Sequence, residues 1–359
     1  MIRESLRKVV NGENLTEEEM QGGMDDILEG RASPAQIGAF VTALRMKGET
    51  VDEIVGGAQA MRAKVKKFRL NNHAVNIDRD EINVEEETIL DTCGTGGGTH
   101  TFNVSTVTAF VAAAAGVKVA KHGHRAVSSQ CGSADVLRSL GVKLDINHSN
   151  VEQCIRELGI GFLYAPLYQG AMKYTAGPRM EIGLRTIFNL LGPLSNPAGA
   201  SAQVLGVYEP ELTEKMATVL KRLETREAFV VYGEGTFDEI SICGPTRVSR
   251  LKGDRIETYE MTPEDCGFQR AEPEAIRGGN ARENARIVRE ILGGEKGPRR
   301  DMVLLNTAAA FVAAGLDPDL TQGIQRGEEA IDSGRAGQKL DALIAFTGQC
   351  GPFVRKELH

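Results

Sequence analysis

A chain of 359 residues, 41% hydrophobic and 25% charged, is long enough for two compact domains and ordinary in composition for a soluble globular protein. Its net charge of −7 provides no overall basic field for nucleic acid, and its six scattered cysteines form no CxxC pair, which argues against a zinc site or disulfide frame. No apolar run reaches membrane-spanning length and the first residues form no apolar signal region, so the expectation is a cytoplasmic protein without membrane or nucleic-acid partners.

Residues 1 to 67 predict three or four short helices. Thr16 with Glu19, Ser33 with Gln36 and Thr50 with Glu53 each fit a capping box, in which two side chains satisfy each other's free N–H groups. Pro34 falls one residue after its cap, where a missing N–H costs nothing. Between Lys67 and Glu87 the pattern loosens into a linker or surface excursion. From Thr88 it alternates. Strands are expected at Thr88–Cys93, Val117–Ala120, Gly161–Ala165, Ala202–Tyr208 and Ala228–Tyr232, with shorter ones at Glu239–Ile242 and Arg247–Leu251. Helices are expected at Val104–Ala115, Ser133–Leu140, Glu152–Leu158 and Glu211–Leu223, and through most of Asn280–Phe346. The predicted fold class is α/β: a small all-helical domain plus a larger α/β domain with a central, mostly parallel sheet and helical cover.

The chemistry concentrates after the first of these strands. Gly94-Thr-Gly-Gly-Gly98 leads to Asn103-Val-Ser-Thr106 at a helix start, where freed N–H groups and the helix dipole favour an anion. Alone, such a glycine run is more often a tight turn, and Ser105 and Thr106 are either caps or hydroxyl donors to phosphate or metal. The stretch Lys121–Asp135 adds Lys121 beyond a strand end, Arg125 with its bidentate geometry, and the hydroxyls of Ser128, Ser129 and Ser133. Together these predict a phosphorylated ligand. Asp238-Glu239 is either a solvated acidic turn or a Mg²⁺ site at a loop-to-strand junction. Arg179, at the start of a predicted helix, pairs either with a surface acid or with a substrate carboxylate. The run Phe188–Pro197 breaks a helix as a hinge or a turn.

In combination, Gly94-Thr-Gly-Gly97, Thr101–Thr106, Lys121–Ser129, Gly132–Leu137, Arg185–Ala198 and Asp238-Glu239 resemble the anthranilate phosphoribosyltransferase family, over nearly the whole chain. The resemblance implies transfer of a phosphoribosyl group from phosphoribosyl pyrophosphate to anthranilate in tryptophan synthesis. It implies a small domain of residues 1–67 with about 168–190, through which two chains form a homodimer, and an α/β domain of 68–167 with about 191–359. It places Gly94, Gly97, Gly98, Thr101, Asn103, Ser105, Thr106, Lys121, His122, His124, Arg125, Ser128, Ser129 and Ser133 around the substrates. Ser105, Asp238 and Glu239 would hold Mg²⁺, and Arg179 would face anthranilate. Lys121 and Arg179 carry the catalytic expectation.

The chain also departs from the family's pattern. Gly98 stands where an Asp is usual, in a loop one residue shorter. His124 replaces an Asn, Cys131 a Ser, and Gln169-Gly170 a His-Pro pair. His124 and Gln169 fall on the acceptor side, which leaves another aromatic acceptor as an alternative. A non-catalytic nucleic-acid-binding relative of the fold is disfavoured by the net charge, and a pyrimidine nucleoside phosphorylase by the Asn103-Val-Ser-Thr106, Gly192–Ala198 and Asp238-Glu239 motifs.

Overall fold

The computed structural model describes every residue except 69, 71–73, 79–80, 86, 97–100, 126–130, 169, 236, 352 and 354–359. Four helices open the chain: α1 Ile2–Val10, α2 Glu17–Leu28, α3 Pro34–Lys47 and α4 Val51–Ala63. Each of the three predicted capping boxes is formed, as where Thr16 Oγ1 accepts from Glu19 N–H at 3.2 Å and Glu19 Oε2 accepts from Thr16 N–H at 3.2 Å. Helices α2 and α4 touch at backbone distance, since a Cβ at Gly56 would lie 2.4 Å from Glu17 O. The expected linker contains an antiparallel pair, β1 Ala74–Asp78 and β2 Glu81–Glu85.

The rest follows in chain order as β3 Ile89–Gly94, α5 Val104–Ala114, β4 Lys118–Gly123, α6 Ser133–Leu140, α7 His148–Gln153, β5 Ile160–Tyr164, α8 Ala165–Tyr168, α9 Lys173–Ile182, α10 Ile187–Leu191, β6 Ala202–Gly206, α11 Leu212–Arg222, β7 Glu227–Gly233, β8 Thr246–Lys252, β9 Arg255–Met261, α12 Ala281–Leu292, α13 Pro298–Ala313, α14 Leu320–Asp332 and α15 Arg335–Gln349. A seven-stranded sheet has the order β5-β4-β3-β6-β7-β8-β9, parallel from β5 to β7 and antiparallel beyond. Strand β7 shows the alternation that lets it bury both faces. Phe229 and Val231 join a core beneath α5, α12, α13, α14 and α15, while Ala228 and Val230 join a second core shared by α11 and the N-terminal helices.

Helices α9 and α10 leave the sheet and dock on the N-terminal bundle, α9 on α2 and α3 and α10 on α3 and α4. The three segments that pass between bundle and sheet converge. Phe68 N–H donates to Pro197 O at 3.1 Å, and the Phe68 ring stacks on His148 with Tyr168 edge-on at 5.0 Å.

Three expectations are corrected and one unpredicted strand is added. Lys121 lies inside β4 rather than beyond it, because pairing with β5 continues through Lys121↔Phe162 to Gly123↔Tyr164. Residues 239–242 form no strand, because the Ile240 N–H and C=O are both taken, at 2.9 Å, by the Asn306 side-chain amide. Arg179 sits well inside α9, since a turn at Gly170–Met172 starts that helix earlier. The antiparallel edge strand β9 has no counterpart among the predicted elements.

Candidate functional site

The site is built at the C-terminal ends of β3 and β4. Gly94 and Gly206 are register partners across β3 and β6, and both are glycine for a steric reason. A Cβ on Gly206 would fall 1.6 Å from Asp238 O, and one on Gly94 would fall 2.3 Å from Asp238 Oδ2. The Asp238 segment therefore lies directly over the strand ends. Asp238 Oδ2 accepts from Gly96 N–H at 3.1 Å, which fixes the start of the glycine loop.

Lys121 is buried beneath this loop. Its ammonium donates to Thr92 O, and to Ser105 Oγ at 3.2 Å. Thr92 Oγ1 in turn donates to Ser105 O at 2.8 Å, tying the first turn of α5 to β3. Burial pulls the Lys121 ammonium below the usual lysine range, and Asp91 is the first of the groups that oppose this. Asp91 is fully buried; its carboxylate accepts from His122 N–H at 3.2 Å and from Asn196 Nδ2 at 2.8 Å. Burial raises the Asp91 carboxyl, and Lys121 is the largest counterweight. Each group thus opposes the shift that burial imposes on the other.

Glu239 faces the same point. Its Oε1 accepts the Ser105 N–H at 3.3 Å, so a distant carboxylate takes the N–H that a local cap would normally satisfy at the start of α5. Neither Ser105 nor Thr106 caps this helix: the N-cap position is Asn103, and no side chain bonds there as a cap. Thr106 Oγ1 is buried and bonded to no other described residue. Burial, and then Asp238 beside it, push the Glu239 carboxyl up to about 8. Two adjacent carboxylates and the Ser105 hydroxyl are hard oxygen donors, a set that fits Mg²⁺ sharing its remaining positions with ligand oxygens and water. Among the described residues, no group of three or more His, Cys, Asp or Glu side chains forms a metal site.

The remaining predicted residues fall in distinct places. His122 is buried, and its ring pKa is lowered to about 4, chiefly by that burial. Ser133 opens α6 against Gly123, where a Cβ would lie 2.2 Å from Ser133 Oγ. Asn103 Nδ2 donates to Cys131 O at 3.2 Å, and Thr101 forms an isolated bridge with Arg277. His124 and Arg125 are exposed at the end of β4. Gly97, Gly98, Ser128, Ser129 and Gln169 lie outside the described residues. Arg179 is half-buried on α9; its guanidinium stacks on the Phe188 ring at 5.4 Å and bonds to no other described residue. Burial alone lowers its pKa from the ordinary value.

Sequence reasoning missed the supporting shell. Asn196 donates to Asp91 and, at 2.8 Å, to Ala120 O, which turns the Pro193–Pro197 run into a bracket across β3 and β4. Asn189 Nδ2 reaches Thr95 O at 3.4 Å, linking α10 to the glycine loop. The only local signal for either was an asparagine within a run that breaks a helix.

Residues 86–337 match the model of the glycosyl transferase family a/b domain, and residues 3–65 match the helical bundle domain of the same family. The chain is 55% identical over 350 residues to the anthranilate phosphoribosyltransferase of Geotalea uraniireducens, covering 97% of this chain and all of that one. The crystal structure of anthranilate phosphoribosyltransferase from Thermus thermophilus superposes with a TM-score of 0.87 at 43% identity, covering 96% of this chain and 99% of that one. The Saccharomyces cerevisiae enzyme, in complex with phosphoribosyl pyrophosphate and Mg, superposes with a TM-score of 0.85 at 28% identity, covering 97% and 98%.

Proposed function

The chain belongs to the anthranilate phosphoribosyltransferase family, and on that premise we propose how its residues divide the chemistry. It transfers the phosphoribosyl group of phosphoribosyl pyrophosphate to the amine of anthranilate, giving N-(5-phosphoribosyl)anthranilate and pyrophosphate in tryptophan biosynthesis. The donor lies over the ends of β3 and β4. Gly94, Gly97, Gly98, Thr101, Asn103, Thr106, Arg125, Ser128, Ser129 and Ser133 bind its anionic groups. The orphaned Thr106 hydroxyl supports this placement.

The observation that carries the reading is the buried Lys121 ammonium, which donates to Thr92 O and to the hydroxyl of Ser105, the residue whose N–H Glu239 accepts. Such fixed charges, held before the reaction begins, stabilise charge developing on departing pyrophosphate, and each key contact is worth roughly 10²–10³ in rate. Ser105, Asp238 and Glu239 would hold Mg²⁺, which supplies further charge neutralisation to the pyrophosphate. Arg179 grips the anthranilate carboxylate and aims the amine at the anomeric carbon; positioning supplies much of the remaining acceleration. His122 and His124 border the acceptor.

We also propose that residues 1–67 with about 168–190 form one domain and 68–167 with about 191–359 the other, and that two copies pair through the first. Met46, Met180 and Leu184, exposed on its surface, support that pairing. No helix among the described residues is long and apolar enough to cross a membrane.

Loss of anthranilate fluorescence with purified protein, phosphoribosyl pyrophosphate and Mg²⁺ tests the assignment. Turnover of about 1 per second or more is expected. Donor binding without turnover would overturn anthranilate as the acceptor and leave the donor site standing.

A further inference from the structure

Asn103 stands at the N-cap of α5, where an asparagine ordinarily bends back to accept the first free N–H groups. Here it does not. Its side chain points instead to a second asparagine from the other end of the chain: Asn284 Nδ2 donates to Asn103 Oδ1 at 3.0 Å. Asn284 is buried on α12, and its Oδ1 accepts from Gly279 N–H at 2.7 Å. Asn103 then passes the pattern on, donating from Nδ2 to Cys131 O at 3.2 Å.

The orientation of both amides follows from the two ends of this relay. Gly279 supplies an N–H, which can only donate, so the oxygen of Asn284 must face it. Cys131 supplies a carbonyl, which can only accept, so the nitrogen of Asn103 must face it. The one remaining contact is nitrogen of Asn284 to oxygen of Asn103, as found. The start of α12 is rigid enough to act as the anchor: Asn280 Oδ1 accepts from Arg282 N–H at 2.9 Å and Glu283 N–H at 3.1 Å, and Glu283 Oε2 accepts from Asn280 N–H at 2.8 Å. The same segment presses on the backbone before Asn103. Thr101 bridges Arg277, and a Cβ on Gly278 would fall 2.6 Å from Phe102 N.

We propose that Asn284 is a positioning residue of the donor site: acting through Asn103, it sets the spacing between the Thr101–Asn103 approach to α5 and the Cys131–Ser133 approach to α6. The proposal rests on the donor-site reading above. It assigns a role in substrate binding to a helix that carries no predicted site residue.

The test is a double-mutant cycle on the full chain, read as kcat/KM for each substrate. Turnover and calorimetric donor binding by the unaltered protein are established first; failure there sinks the donor-site reading and is distinguishable from failure of the relay. Asn284→Ala should then raise the KM for phosphoribosyl pyrophosphate about tenfold, the loss of one well-made hydrogen bond. The KM for anthranilate should move less than about twofold. Combining Asn284→Ala with Asn103→Ala should cost no more than Asn103→Ala alone, because both changes break one relay. Asn284→Asp keeps the volume and the bond to Gly279 but turns a second oxygen toward Asn103, so it should raise the donor KM at least as far. That variant carries the test if the alanine variant does not fold. Additive losses in the double variant, or equal rises in both KM values, would overturn the proposal.

Discussion

The Asn196 side-chain amide donates to Asp91 Oδ2 at 2.8 Å, across 105 positions of sequence. The same nitrogen donates to Ala120 O on the neighbouring strand, so the turn after α10 is pinned to β3 and β4 together. Asp91 is fully buried; burial raises its carboxyl, and Lys121 opposes that rise more than any other group.

That arrangement predicts an unusual rescue. Lys121→Met should destabilise the fold by on the order of 2 kcal/mol, because Asp91 is left buried without its counter-charge. Adding Asp91→Asn removes the stranded charge and should recover most of the loss. Activity should not return, since the ammonium is gone. Urea unfolding of the single and double variants measures the first effect, and anthranilate fluorescence the second. A double variant less stable than Lys121→Met would show that the charges do not interact.

His122 gives a pH signature. Burial lowers its ring from the ordinary 6.5 to about 4. Between those values the unfolded chain binds the proton and the native chain does not. Stability should therefore fall as pH drops from 6.5 and level off below about 4, with a total loss of up to about 3 kcal/mol. Comparing melting temperature against pH for His122→Gln isolates this contribution. A variant with the same acid slope as the parent would assign the loss to other groups.

Gly206→Ala should act on chemistry it does not touch. The new methyl collides with the backbone of Asp238, 1.6 Å away, and must push the Asp238-Glu239 segment off the strand ends. The expected result is a rate loss of roughly 10² or more with a rightward shift of the Mg²⁺ response. Asp238→Asn combined with Glu239→Gln should shift the same response without moving the backbone. An unchanged Mg²⁺ titration in both variants would remove these carboxylates from the metal site.

Arg179→Ala should raise the apparent KM for anthranilate by about tenfold or more, the loss of a charge-assisted contact. The KM for the donor should stay nearly constant. Steady-state kinetics with each substrate varied in turn decides it, and parallel rises would give Arg179 a structural role on Phe188 instead.

The parts of the molecule legible in the sequence are those fixed by near neighbours. Thr16 and Glu19 announce a helix start because both halves of the device lie within one turn. Gly141 ends α6 as expected, with φ +101, because a left-handed residue is a local demand. What failed was long-range. Glu239–Ile242 alternates like a strand, yet Asn306, 66 positions from Ile240, takes the backbone bonds a neighbouring strand would need. Asn284 and Asn103, 181 positions apart, were no more visible. The candidate ligands could be proposed from sequence because phosphate chemistry requires a dense local run of donors. Their supports are single asparagines, and one asparagine in a sequence says nothing about its partner.

The second apolar core runs from Met20 and Phe40 in the N-terminal helices, through Leu191 of α10, to Leu220 of α11 and Val230 in the sheet. Bundle and sheet floor are thus wetted or dried together. Calorimetry should register one endotherm rather than two, and an excised 1–65 fragment would present a greasy face with nothing to lie against, so it should clump rather than fold.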